Sequence, residues 1–233
     1  DAKLKWKGII HMADIMEEKF KIQTKLTNDA NAAAVGEMQY GIAKGMKNFI
    51  TITLGTGVGS GVIIDGKIVL GYNGFAGELG HVIVRNGGRL HQGTGLCGSL
   101  ESYASATGVR DTAIEFLQAN PDINSLLSSY TIDELTSETV FKCAEQGDVL
   151  ANEVFEFTGQ ILGEALATFV HFSAPEAIVL FGGLTKAGDL IMKPTRQAME
   201  DNLLQVFKNQ VKILFSTLNE ADAAILGASA LVW

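Results

Sequence analysis

Residues 49–78 read FITITLGTGVGSGVIIDGKIVLGYNGFAGE, and four glycines, Gly55, Gly57, Gly59 and Gly61, stand at alternate positions between two β-branched runs. Glycine alone lets a backbone pass through positive φ, or approach a ligand with no Cβ in the way. Successive N–H groups in such a turn form a concave anion site, and Thr56 and Ser60 add hydroxyls. The pattern reads as a phosphate cradle, with a nucleotide as the first ligand to consider. The bland alternative is a glycine-rich barrel corner or β-bulge. The spacing is neither G-x-G-x-x-G opening a helix nor G-x-x-x-x-G-K-[ST]. No lysine comes after the glycines; a strand at 62–64 comes next, then an Asp65-Gly66 hairpin turn and a further strand at 67–70. The glycines therefore join two antiparallel strands.

The 233 residues suffice for a sizeable core in one or two domains. With 47% apolar and 19% charged residues, the chain is globular rather than disordered. A net charge of −8 disfavours nucleic acid or a membrane surface as the main partner. No apolar run reaches the roughly 20 residues of a membrane span, and the first residues carry no signal-peptide core. Cys97 and Cys143 read as reduced thiols of a cytoplasmic protein.

Along the chain, helices are expected over 12–20, 30–43, 100–119, 148–173, 194–208 and 222–232, with helical periodicity over 131–147. Strands are expected over 23–27, from Phe49, and over 177–181 and 211–216. Two short runs, 79–84 and 89–91, interrupt a glycine-rich excursion, and 120–130 reads as a solvent loop. Strands alternate with helices, so the class is α/β. Trp6 and Trp233 read as packing residues.

Several residues can carry chemistry. Asp29, at the start of a helix, is stabilised as an anion there and is suited to accept a proton from a hydroxyl. Asn28 beside it can serve the same ligand, or the pair can be a plain helix cap. Glu78 and His81, three apart, suit vicinal hydroxyls; an ordinary loop salt pair weighs about equally. Glu101 opens a helix after a glycine-rich loop, where an acid commonly answers the helix dipole. Gly182-Gly183, after the apolar run AIVLF, leave room for an adenosine against the backbone, or make a tight turn. His11 and His171 read as structural.

Taken in order, LTNDANAAA from Leu26, LGTGVGSG from Leu54, Gly77-Glu78-Leu79-Gly80-His81, Gly98-Ser99-Leu100-Glu101 and Phe181-Gly182-Gly183 resemble the ROK family of sugar kinases and sugar-responsive repressors, most of all its bacterial glucokinase branch. The resemblance runs from about residue 20 to the C-terminus. It implies an actin-like (RNase H-like) sugar kinase fold of two domains and ATP-dependent, Mg²⁺-assisted phosphorylation of a hexose, glucose first. It makes Asp29 the base for the 6-hydroxyl. Asn28, Glu78, His81 and Glu101 become sugar contacts. Gly55, Thr56 and Gly57 meet the ATP phosphates, and Gly182 and Gly183 line the adenosine. A homodimer is also implied. On this reading residues 1–47 and 219–233 belong to the first domain and 48–218 form the second.

Two departures stand out. The family's zinc knuckle reads C-x-C-G-x-x-G-C-[LI]-E; aligned to Glu101, its cysteines fall on Gln92, Thr94 and Ser99. Only the fourth ligand, His81, remains. A structural zinc takes four N or S ligands, so no zinc is expected and hydrogen bonds must hold the loop. His81, His91 and Cys97 are the improvised alternative. The family's opening strand and D-x-G-G-[TS] phosphate loop also have no counterpart here, so a truncated first domain, with little activity of its own, is expected. The alternatives to a glucokinase are an N-acetylglucosamine or N-acetylmannosamine kinase, a sugar-sensing repressor module, and a non-catalytic sugar-binding module.

Overall fold

The computed structural model describes residues 8–231; residues 1–7 and 232–233, with Trp6 and Trp233, lie outside the described residues. Helix α1 (Met12–Phe20) opens the described chain and buries none of its side chains. The segment expected as a strand at 23–27 forms no regular element, because it pairs with no neighbouring strand. Helix α2 (Asp29–Tyr40) comes next, with Asn28 as its N-cap: the Asn28 carboxamide oxygen accepts the Asn31 N–H at 2.7 Å. It ends three residues before the expected limit, at Gly41, whose N–H donates to the Glu37 carbonyl.

Strands β1 (Phe49–Leu54), β2 (Val58–Ile64) and β3 (Lys67–Ile68) form an antiparallel meander. The turn at Asp65-Gly66 is tight, with φ of 50° and 73°. Strand β2 starts earlier than its β-branched run, so Gly59 and Gly61 lie inside it, opposite Thr53 and Thr51.

Beyond the meander, the 79–84 run gives only a 3-10 turn at Leu79–His81, and isolated bridges join Ile83 to Ser99 and Leu90 to Cys97. The helix expected over 100–119 is two, α3 (Glu101–Ala104) and α4 (Ala106–Ala119). Ser105 divides them with extended backbone, and its hydroxyl caps α4 by accepting the Gly108 N–H. The supposed solvent loop carries a 3-10 turn, Leu126–Ser129, whose Leu127 is fully buried.

Helix α5 (Ser137–Glu145) starts at a Thr136 capping box, and α6 (Val149–Ser173) at Asp148. Strand β4 (Ala177–Phe181) leads to a 3-10 turn, Gly183–Ala187, and helix α7 (Asp189–Asp201). Pro194 sits inside α7 rather than opening it. Its ring lies where a side chain on Gly159 of α6 would stand, so the missing Cβ of Gly159 makes room for it. Strand β5 (Lys212–Phe215) and helix α8 (Glu220–Ala230) complete the chain.

The sheet order is β3-β2-β1-β4-β5, with β1, β4 and β5 mutually parallel. The main core lies on the face covered by α3 to α7. On the other face a smaller core gathers Ala34, Ala43, Phe49, Ile63 and Val179 under α2. Helices α2 and α8 meet at glycines: a Cβ on Gly36 would stand 3.0 Å from the Ala223 carbonyl oxygen, and Gly227 lies against the Ala32 carbonyl. Among the described residues no helix is long and apolar enough to cross a membrane.

Candidate active site

The N-terminus of α2, the β1–β2 turn, the start of α3 and the end of β4 converge on one cleft of about 530 Å³. Asp29, Thr53, Gly55, Thr56, Gly57, Glu101, Gly182 and Gly183 line it. Asp29 is exposed in the first turn of α2, and its Oδ1 accepts the Ala30 N–H at 2.9 Å. The other carboxylate oxygen has no protein donor among the described residues. Asn28 is the helix cap and lies outside the residues lining the cleft.

The glycine turn works differently from its sequence reading. None of Gly55, Gly57, Gly59 and Gly61 adopts positive φ. Three are glycine because something stands where their Cβ would be. At Gly59 that is the Thr53 hydroxyl at 2.6 Å, at Gly61 Ala34 of α2 at 2.5 Å, and at Gly57 the Glu101 carboxylate. Only Gly55 faces open space, the cleft itself. Turn geometry is held from inside, by Gly55 N–H to the Gly57 carbonyl at 3.0 Å, and from α4, by Ala106 N–H to the Gly55 carbonyl at 2.8 Å. The Thr56 and Gly57 N–H groups have no acceptor among the described residues, so they remain available to an anion. Ser60 joins the turn to its neighbour, donating to the Gly77 carbonyl and accepting the Leu79 N–H.

Glu101 is the best-anchored acid of the cleft. Its Oε2 accepts the Val58 N–H at 2.7 Å, and its Oε1 lies 3.1 Å from His91 Nε2. The Glu78 carboxylate is 3.6 Å from His81 Nε2, a half-exposed pair on the turn that packs against Val58. His81 Nδ1, in contrast, is buried with no partner among the described residues. This pair borders the cleft's wall at β2 but is not part of its lining.

Gly182 does adopt positive φ, 106°, and a Cβ there would stand 2.6 Å from the Leu54 carbonyl oxygen; Gly183 faces open space. The two glycines let β4 end flush against β1. Past them, across Gly55, Thr56 and Gly183, a second lobe of about 600 Å³ opens between α5 and the 183–187 turn. Phe141, Phe155 and Leu184 give it an apolar wall, and Lys142, Glu138 and Lys186 give it a charged rim. The Glu138–Lys142 pair, 2.7 Å apart, holds the Glu138 carboxyl below and the Lys142 amine above their usual ranges. Sequence reading did not single out this rim, since a lone lysine on an amphipathic helix carries no pattern.

The loop in the zinc-knuckle position is held by hydrogen bonds. Arg89 donates to the Ser102 and Gly108 carbonyls, to Thr112 and twice to Glu115, and its guanidinium stacks 4.7 Å from the Tyr103 ring. At two of the family's cysteine positions, Thr94 bonds His91 Nδ1 at 2.9 Å and Ser99 bonds Ser102 at 2.9 Å. Gln92, Thr94 and Ser99 offer amide and hydroxyl groups in place of thiolates, and Cys97 is exposed. The orphaned Nδ1 of His81 has no three companions of metal-binding type: among the described residues no cluster of His, Cys, Asp or Glu is arranged for a metal. The donor set does not fit a structural zinc.

The chain has the actin-like fold of the ROK sugar kinases on whose solved structures it superposes. The sequence matches the ROK family over residues 1–233, and the chain belongs to that family. It is 38% identical to a glucokinase of Halalkalibacterium halodurans over 221 residues, 95% of this chain and 67% of that one. It is 29% identical to the N-acetylglucosamine repressor of Escherichia coli over 222 residues, 95% of this chain but 52% of the repressor. Among solved structures, a ROK family glucokinase from Streptomyces griseus in complex with glucose and AMPPNP superposes with a TM-score of 0.81 at 32% identity, covering 94% of this chain and 71% of that one. The chain is thus related both to glucokinases and to the N-acetylglucosamine repressor.

Proposed function

We propose that the protein phosphorylates a hexose, glucose first, at its 6-hydroxyl with ATP. The observation that carries this reading is the placement of Asp29 in one cleft with the glycine turn and Gly182-Gly183. In this reading Asp29 takes the hydroxyl proton as the sugar oxygen bonds to the γ-phosphorus and the bond to ADP breaks. Asn28, Glu78, His81 and Glu101 hold the sugar. The free N–H groups of Thr56 and Gly57, with the Cβ-free face of Gly55, receive the phosphates. Gly182 and Gly183 carry the adenosine into the apolar second lobe, and Mg²⁺ enters with the nucleotide. Phosphoryl transfer asks a protein mainly for positioning and charge stabilisation, which a rigid turn between two strands supplies. The relation to glucokinases at 38% identity, and to a glucokinase solved with glucose and AMPPNP, supports it. The same reading puts the protein in the cytoplasm as a homodimer, with domain limits at 47/48 and 218/219.

A second reading, a sugar-sensing module without turnover, is favoured by the relation to the N-acetylglucosamine repressor. One experiment separates them: ATP-dependent phosphorylation of glucose, mannose, N-acetylglucosamine and N-acetylmannosamine, with sugar binding measured by calorimetry. The expected result is turnover of glucose, reduced about 10²- to 10⁴-fold in Asp29→Asn with binding retained. Turnover that survives Asp29→Asn overturns the role of Asp29; binding without turnover selects the sensor.

A further inference from the structure

We propose that His91 is a positioning residue that ties the knuckle loop to the cleft, taking over by hydrogen bonding the fastening that a zinc knuckle gives. A chain of contacts runs from Thr94 Oγ1 to His91 Nδ1 (2.9 Å), from His91 Nε2 to Glu101 Oε1 (3.1 Å), and from Glu101 Oε2 to the Val58 N–H (2.7 Å). Its direction is set by the donor inventory. An ionised carboxylate only accepts, so Nε2 carries the hydrogen that reaches Glu101. In the neutral ring Nδ1 is then an acceptor, and the Thr94 hydroxyl donates to it. The Thr94 oxygen in turn accepts the Leu96 N–H at 3.3 Å, so the hydroxyl proton is free to point at the ring.

The loop that carries this ring is itself fixed. His91 N–H donates to the Leu96 carbonyl at 2.8 Å, Gly95 N–H to the His91 carbonyl at 2.8 Å, and Arg89 locks the nearby backbone to α3 and α4. Glu101 is largely buried, with 12% of its side chain exposed. It sits across Gly57 and touches the first residue of β2. A partner that fixes Glu101 therefore fixes both a wall of the sugar cleft and the entry of the glycine turn into β2. Groups held in this way by an outer partner commonly lose tenfold or more of their effect when the partner goes.

The inference rests on Glu101 acting as a sugar contact, and its test separates the two claims. Glucose is titrated calorimetrically into the full chain and into His91→Ala, His91→Gln and Thr94→Ala. Thermal midpoints, the imidazole nitrogen shifts of His91 and the amide resonance of Val58 are recorded on the same proteins. His91→Ala is expected to weaken glucose binding about tenfold and to move the Val58 resonance. His91→Gln, whose amide can donate to Glu101, recovers most of both. Thr94→Ala shifts the His91 ring away from the Nε2–H tautomer. An unmoved Val58 resonance in His91→Ala overturns the proposal. So does an equal loss in both His91 variants that tracks the fall in thermal midpoint. If the unaltered protein binds no sugar, the sugar role of Glu101 fails, and the Val58 and imidazole signals alone decide the positioning role.

Discussion

Among the described residues Glu37 is the most deeply buried acid. It lies at the C-terminal end of α2 with 1% exposure, accepts the Ser216 hydroxyl on Oε1 and the Ile42 N–H at 3.0 Å on Oε2. Burial pushes its carboxyl above 4.5, and the two hydrogen bonds pull the other way without cancelling it. The folded state therefore binds this proton more tightly than the unfolded chain. Its contribution to stability is complete below pH 4.5 and is lost as pH rises through the raised value. Glu37→Gln mimics the neutral acid, with an oxygen for Ile42 and an amide for Ser216. Thermal midpoints measured against pH should show the natural protein losing ground to Glu37→Gln above pH 4.5; parallel curves would mean that Glu37 does not titrate in that range. At Gly61 the expected effect is steric. A methyl there meets Ala34 and the Ala30 carbonyl oxygen at 2.5 and 2.9 Å, so Gly61→Ala should cost about 1–3 kcal/mol in urea unfolding. Gly55→Ala, facing open space, should leave stability unchanged and weaken nucleotide binding.

Elements here are organised by a few anchoring side chains. The loop before α3 has almost no regular structure, yet Arg89 joins it to two helices with a side chain only 10% exposed. Lysine cannot reproduce the fork of donors. Arg89→Lys takes the fork away from the Ser102 carbonyl, while the Gly108 carbonyl keeps the Thr112 hydroxyl, and should destabilise the protein by about 1–3 kcal/mol. Chemical denaturation checks this, and a loss under about 0.5 kcal/mol, the scale of an ordinary surface change, would show that other bonds carry the loop. Local punctuation in the sequence placed the Asn28 cap at the start of α2, because a cap is a bond within four residues. It misjudged Pro194, read as a helix start, because the space that tolerates that ring is provided by Gly159 on another helix. It also missed the break at Ser105, where two helical turns change direction around one extended residue.

For the whole molecule, the hydrogen-bonded knuckle makes a prediction about metals. Excess chelator should leave the thermal midpoint unchanged, since no fastening depends on a bound ion; a fall of several degrees, reversed by zinc, would overturn that account. In the same scans, a saturating hexose should raise the midpoint: a ligand at about 100 times its Kd adds about 2.7 kcal/mol. This links the fold to the site, because the cleft is built from four separate elements and closes only when all of them are in place.

Neighbouring residues alone were enough to specify the alternation of strands and helices, the β1–β2 turn, the acid at the start of α2 and the family to which they belong. Each of these is written locally, through turn chemistry, capping and glycine spacing. Three-dimensional packing supplied the reason the glycines are there, which is close approach to Ala34, Thr53 and Glu101 rather than positive φ. It also brought His91 to Glu101 and Arg89 across α3 and α4. Those contacts join residues ten or more positions apart across a folded loop, so no local pattern encodes them; they exist only once the sheet and helices have set the distances.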